Sequence, residues 1–289
     1  MFTTLCKMTQ KDLKKFVTKK LKETHSQVIV EDGFVYAQGT FPVLLVAHLD
    51  TVHAKLPTKI YYNKKKDALS SPQGIGGDDR CGVYMILEII KKHHCSVLFC
   101  EDEEIGAIGA EKFIKSNIAQ NLEFNYILAF DRKGKNDAVF YDCDNEDFEK
   151  FITKDFYKTS WGSFSDISVI APFLKCAAVN LSCGYYEAHT TKEYVVVSEM
   201  NKSIEAACKI LARTTDDDKF EYVETSYNDF SFGYGDSYEQ KTFVVEWYDL
   251  MTGEPEYEDI YAFTKVEAVG EFLMKHPTLS YNDIDIYEF

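Results

Sequence analysis

The chain has 289 residues, 45% of them hydrophobic and 15% aromatic, with 32 Lys and Arg against 47 Asp and Glu for a formal net charge of -15. That apolar content excludes disorder throughout, no stretch approaches the roughly 20 apolar residues of a membrane helix, and the negative charge without a basic stripe argues against nucleic acid as a partner. The charge is unevenly placed: residues 1–213 hold 28 basic and 28 acidic residues, and residues 214–289 hold 4 and 19.

The amino terminus, MFTTLCKMTQKDLKKF, lacks the apolar centre of a signal peptide. Eight cysteines without a CxxC pair, several in apolar runs, read as free thiols of a reducing cytosol, so a soluble cytoplasmic protein is expected. Residues 9–23 put Thr9 and Asp12 in capping-box spacing and repeat Leu13, Phe16, Val17 and Leu21 on one face, which predicts an amphipathic first helix. QVIVE and FVYAQ flank Asp32-Gly33, a hairpin signal. The apolar runs FPVLLVA, SVLFC at 96–100 and FNYILAF at 124–130 read as strands buried on both faces. Helical patterns separate them, GVYMILEIIKK after Gly82 and AIGAEKFIKS. LKCAAVNLS predicts another core strand, and SEMNKSIEAACKILAR, opening at Ser198, a closing amphipathic helix.

Strands alternating with helices imply an α/β fold with a mostly parallel central sheet and helices on both faces. Three regions are expected: a main domain over 1–213, an acidic Tyr- and Asp-rich linker or arm over 214–241, and a small α+β module over 242–289. The module comprises TFVVEWYDL, a turn at Met251-Thr252-Gly253, EDIYAF, a helix KVEAVGEFLMKH and a final DIDIYEF.

Polar residues collect at the ends of the expected strands. His48-Leu49-Asp50 ends VLLVA, Glu103 and Glu104 follow SVLFC, and Asp131 ends YILAF. Ligands of an open parallel sheet bind beyond the carboxyl ends of its strands, so three separate segments converge on one rim. Imidazole with carboxylate suits zinc, with manganese or cobalt as substitutes. Asp78-Asp79, preceded by a flexible Gly74-Ile75-Gly76-Gly77 loop, and His189 in YYEAHTTKEY complete the set. Each motif alone is a weak signal, and their order along the chain is the strong one. Other features read more plainly. GIGGDDR lacks the lysine of a phosphate loop, and His93-His94 suit a helix carboxyl end. Cys183 reads as a core thiol, and His25, His53 and His276 have no partner pattern, so a surface loop is expected for His53.

HLDT at 48–51, GGDDRCG at 76–82, EDEEIGAIGA at 101–110, FDRKG at 130–134 and YYEAHTTKEYV at 185–195 together resemble the zinc-dependent exopeptidases with two co-catalytic metals. The resemblance spans roughly residues 40–213 and lies nearest the compact aminopeptidase-like branch related to tripeptide and leucyl aminopeptidases. It implies that His48, Asp78, Glu104, Asp131 and His189 bind two zinc ions, Asp78 bridging them. Asp50 would orient His48 as a supporting carboxylate, Glu103 would be the general base, and the Asp78-Asp79 peptide would be cis. Ser165-Asp166 stands where relatives carry a Thr-Asp or Ser-Asp pair that supports the site. Spacing alone does not distinguish the roles of Glu103 and Glu104. Asp131 and His189 are too close in sequence for the inserted dimerisation domain of many relatives, and Arg80 receives no role.

The implied protein is a di-zinc metallohydrolase, a metallo-exopeptidase acting on short peptides as an aminopeptidase, without nucleic-acid or membrane partners. The runner-up readings are an amidase or N-acyl amino acid deacylase, a glutaminyl cyclase, and, from another class, a catalytically inactive peptide- or partner-binding protein.

Overall fold

In the computed structural model, residues 1–162, 164–224, 241–248, 255–262, 268, 272, 273, 275, 276, 279 and 284–288 are described. They fall into two units, Met1–Thr225 and Ser226–Phe289. In chain order the first unit runs α1 (Phe2–Leu5), α2 (Gln10–Lys22), β1 (Gln27–Glu31), β2 (Phe34–Gln38), β3 (Phe41–His48), β4 (Tyr61–Asn63), β5 (Ala68–Ser70), α3 (Gly77–Ile89), β6 (Cys95–Cys100), α4 (Ile108–Lys115), β7 (Tyr126–Arg132), β8 (Asp137–Val139), α5 (Glu146–Thr153), β9 (Lys158–Ser160), α6 (Asp166–Leu174), β10 (Ala178–Ser182), β11 (Tyr185–Tyr186), β12 (Tyr194–Val196) and α7 (Val197–Arg213).

The apolar runs form the middle of an eight-stranded sheet of order β1-β2-β6-β3-β7-β10-β8-β9. Its centre is parallel, β3 pairing with β6 on one side and β7 on the other, and β7 with β10. Outside it β1, β2 and β8 pair antiparallel, and the edge strand β9 lies parallel to β8. Side chains alternate in period two, as a strand covered on both faces requires. Val43, Leu45 and Ala47 of β3 join one core cluster with Leu13, Val17 and Leu21 of α2 and with buried residues of α3, α5 and α7. Leu44 and Val46 face the other cluster, with Phe113 of α4 and Ile167 and Ile170 of α6.

Local chemistry sets the element ends. Thr9 accepts the Asp12 backbone N–H at 3.1 Å to cap α2. Gly33 turns the β1–β2 hairpin at φ +93°, a conformation unfavourable for a residue with a Cβ. Helix α3 starts at Gly77 rather than after Gly82, because Asp78 and Asp79 form an irregular first turn with non-helical backbone angles that no apolar period marks. The Asp78-Asp79 peptide is cis. The glycine loop, expected to be flexible, is buried from Gly74 through Gly82.

A second, four-stranded antiparallel sheet, β11-β12-β5-β4, joins the segment after β3 to the segment around His189. Sequence periodicity does not reveal it, because strands of two or three residues are too short to show a repeat. Residues 214–224 run as an ordered arm on the first unit. The Phe220 N–H donates to Asn125 O at 2.8 Å, and its ring lies among Tyr126, Phe148 and Phe151.

In the second unit β13 (Lys241–Tyr248), β14 (Pro255–Ala262) and β15 (Ile284–Glu288) form an antiparallel sheet of order β14-β13-β15 around Phe243, Val245, Ile260, Ala268 and Phe272. The expected turn at 251–253 and residues 225–240 lie outside the described residues. Of the described residues in the helix expected over 265–276, 268, 272, 273 and 275 are helical and 276 is not. Among the described residues no helix is long and apolar enough to cross a membrane.

Candidate metal centre

The chain passes from β3 to β6 on one side of the sheet and then across to β7 on the other. This reversal opens a crevice at the carboxyl ends of the central strands, the place where such sheets bind ligands. His48 is the last residue of β3, Glu103 and Glu104 lie beyond β6, and Asp131 lies at the end of β7. All the residues singled out from the sequence meet there.

Asp78 is at the middle of the arrangement. Its Oδ1 lies 3.0 Å from His48 Nε2, and its Oδ2 lies 3.3 Å from His189 Nε2. On the His48 side, Asp131 Oδ1 is 3.4 Å from the same Nε2. On the His189 side, Glu104 Oε2 is 3.1 Å from the ring nitrogen. Asp50 Oδ1 sits 3.0 Å from His48 Nδ1, so the other ring nitrogen is the one presented to Asp78 and Asp131. The same Asp50 carboxylate accepts the backbone N–H groups of Glu103 and Glu104, each at 3.0 Å. Asp50 therefore links the β3 end to the loop after β6.

Asp131 is held from three directions. Ser165 Oγ donates to its Oδ2 at 3.3 Å, Tyr185 Oη donates to its Oδ1 at 3.4 Å, and its backbone N–H donates to Asn180 Oδ1 at 2.8 Å. The neighbouring Asp166 is buried.

The electrostatics are those of a site with more negative charge than it holds comfortably. Burial opposes a charge on His48, but Asp131, Asp50 and Asp78 outweigh it and raise the imidazole pKa well above its ordinary value. Asp78 and Glu104 raise that of His189 to about 11. Burial works against the charge on Asp78, yet its contacts with His189 and His48 lower its pKa. Burial and the field of Asp78 push Asp131 up to about 6. Burial also raises Asp166 to about 7, and raises Glu103 well above the usual carboxylate range.

Two sets of ligand atoms, from His48, Asp78 and Glu104 and from His48, Asp79 and Asp131, each lie within 4.8 Å of one another, close enough to hold a metal ion. Asp79 is the weaker donor of these. Its Oδ2 accepts the His48 backbone N–H at 3.2 Å and its Oδ1 the Gly82 N–H at 2.8 Å, so both oxygens are engaged with backbone. By contrast, Glu104 Oε1 is buried without a hydrogen-bond partner among the described residues, an orphan acceptor that a cation would satisfy. A donor set of two imidazoles and several carboxylates fits a divalent transition metal.

Sequence reasoning passed over three residues that hold this site. Arg80 is buried, and its Nη1 donates to Leu49 O and Asp50 O, each at 2.8 Å. Its Nη2 donates to Met8 O at 3.3 Å, which ties the end of β3 to the amino-terminal segment. Glu193 is fully buried and accepts the Asp78 backbone N–H at 3.0 Å. His53, expected on a surface loop, has its side chain only 8% exposed and lies 2.8 Å from Glu193. The available signal was Glu193 itself, an acid four residues after His189 and immediately before the apolar run YVVV. Cys183 is a core thiol, buried and donating to Leu181 O at 3.2 Å.

No family model matches this sequence, and neither does any curated protein. The backbone does resemble solved structures. The aminopeptidase PepT from Bacillus cereus superposes with a TM-score of 0.59 at 17% identity, covering 73% of this chain and 96% of that one. A tripeptidase from Staphylococcus aureus gives a TM-score of 0.59 at 15% identity over 74% of this chain and 97% of its own. An aminopeptidase from the archaeon Desulfurococcus kamchatkensis gives 0.57 at 15% identity over 74% and 94%. The chain thus has the α/β fold of these peptidases.

Proposed function

We propose that this protein is a di-zinc metallohydrolase that removes amino-terminal residues from short peptides. The observation that carries the reading is the division of Asp78, one oxygen toward His48 and Asp131 and the other toward His189 and Glu104. One carboxylate between two imidazole–carboxylate pairs is what a pair of cations sharing a ligand requires. Solved proteins of this fold named as aminopeptidases and a tripeptidase point to the peptide amide as the bond cleaved. Zinc is the favoured metal for a donor set of nitrogen and carboxylate oxygen, with cobalt or manganese able to substitute.

In this reading His48 and Asp131 would hold one zinc and Glu104 and His189 the other, with Asp78 shared between them. Bound there, the two cations supply Lewis acidity toward a scissile carbonyl. The chain's own residues do the rest. Asp50 fixes the His48 ring so that Nε2 faces Asp78 and Asp131. It also fixes the backbone of Glu103 and Glu104, which sets the Glu104 carboxylate beside His189 and would leave Glu103 for proton transfer. The Glu103 pKa, raised by burial and by the carboxylates of Asp131, Asp166 and Asp78, would be lowered once two cations offset those charges. Glu103 would then accept a proton from the attacking water on its carboxylate and deliver it to the leaving amine. The complete ligand set favours an enzyme over an inactive binding protein.

The test is digestion of a peptide library by protein supplied with zinc, cobalt or manganese, together with metal analysis. The expected result is two metal ions per chain and stepwise loss of amino-terminal residues. Trimming only from carboxyl termini would overturn the aminopeptidase assignment, and fewer than one bound metal with no amide hydrolysis would overturn the enzyme.

A further inference from the structure

Three loops meet at one buried carboxylate. Glu193 Oε2 accepts the Gly76 backbone N–H at 2.8 Å and lies 2.8 Å from His53 Nε2, while Oε1 accepts the Asp78 N–H at 3.0 Å. The His53 ring in turn lies against Gly74, where a Cβ would fall 2.2 Å from ring atom Cε1 and where φ is +83°. Glu193 thus spans the segment after β3, the glycine loop that presents Asp78, and the turn that carries His189. The small sheet reinforces the same junction, since Val195, two residues on, pairs with Leu69 just ahead of the glycine loop.

The two imidazoles are supported unequally. His48 has a side chain 1% exposed, sits at the end of a central strand and is braced by Asp50. The side chain of His189 is 47% exposed, on a turn at φ +65°, a left-handed conformation that needs support from its surroundings. That turn is closed by the Glu193 N–H donating to Thr190 O at 3.1 Å, and the Glu193 carboxylate anchors it to the interior. Of the three side chains on the His189 side, Asp78 and His189 both depend on Glu193. On the His48 side only Asp78 does.

We infer that Glu193, with His53, is a positioning residue that sets the separation of Asp78 from His189 and so governs the affinity of the His189-side metal more than that of the His48-side metal. The inference rests on the two-metal reading above. Glutamine cannot replace it, because its amide NH2 would face either the Asp78 N–H or the Gly76 N–H, a donor against a donor in both orientations.

The experiment is zinc titration of the metal-free full chain against a chromogenic chelator, with circular dichroism as the check on folding. Wild-type protein is expected to take up two ions. Glu193→Gln should bind one of them about 10- to 100-fold more weakly, the usual effect of losing a group that orients a ligand, and the other within about threefold of wild type, still folded. His53→Phe, which leaves the carboxylate but removes its imidazole partner, should shift the same site in the same direction and carries the test alone if Glu193→Gln does not fold. Two ions bound by wild type, with both sites unchanged or both equally weakened in the folded variants, would overturn the positioning role and leave the two-metal reading standing. No zinc uptake by wild type would overturn that reading itself.

Discussion

At the scale of single residues, the carboxylates divide into those that face the crevice and those that face backbone. Asp79 spends both oxygens on N–H groups, whereas Asp78 and Glu104 keep oxygens for the crevice. That division separates structural from chemical roles where the residue types are identical. It also gives the first prediction. Glu103→Gln keeps every proposed ligand, so equilibrium dialysis should show wild-type metal content while turnover falls at least about a hundredfold, as for loss of a general base. A fully active variant would return the role to another group. A second residue-scale prediction concerns pH. Burial lowers the pKa of His25, whose Nε2 lies 2.9 Å from Cys95 O, below the 6.5 of a free imidazole. A folded-state pKa below the unfolded one means that the unfolded chain takes up the proton first. The stability from the neutral ring is therefore complete above pH 6.5 and is lost as pH falls below it. His25→Asn should lose less of its urea midpoint than wild type between about pH 7 and pH 5.

At the scale of elements, the close approach of α3 to β7 holds the Asp78 turn at the carboxyl ends of the central strands. Gly82 makes the approach, since a Cβ there would lie 1.8 Å from Phe130 O and 2.6 Å from the Asp79 carboxylate. Backbone cannot yield as a side-chain tip can. Gly82→Ala should therefore cost about 1–3 kcal/mol or more by chemical denaturation, in the range of core overpacking, and should weaken metal binding because Asp79 holds the His48 backbone. The elements legible in the sequence were strands buried on both faces, which read as unbroken apolar runs, and helices whose burial imposes a period. β3, β6 and β7 alternate between two core clusters, and α2 and α7 each bury one stripe. Helix α6 was not legible, because DISVIAPFL is apolar all round and carries Pro172, so neither amphipathic period nor propensity marks it.

At the scale of the whole molecule, the acidic excess is divided between the two units. Every proposed ligand lies in Met1–Thr225, which has its own two core clusters, whereas most of the acidic excess lies in residues 226–289, with 14 acidic and 3 basic residues. The 214–224 arm belongs to the first unit structurally: the Ala177 N–H donates to Phe220 O at 2.9 Å and the Asp144 N–H to Val223 O at 2.7 Å. A chain ending at Thr225 should therefore unfold in one cooperative transition and bind metal as the full chain does, whereas a chain ending at Arg213 should be destabilised by exposure of Tyr126, Phe148 and Phe151. Calorimetry of the two truncations checks this. Equal stability would mean that the arm contributes nothing to the core.

The sequence by itself determined the metal-type residues and the strands that carry them, because a strand buried on both faces is written locally as an unbroken apolar run, and the polar residues stand at its end. Only the tertiary structure decided which acids face the crevice, that Arg80 and Glu193 brace it, and that the glycine loop is held rather than loose. Glu193 reaches Gly76 across 117 positions and His53 across 140, and a hydrogen bond over such a separation leaves no periodic trace in the residues between.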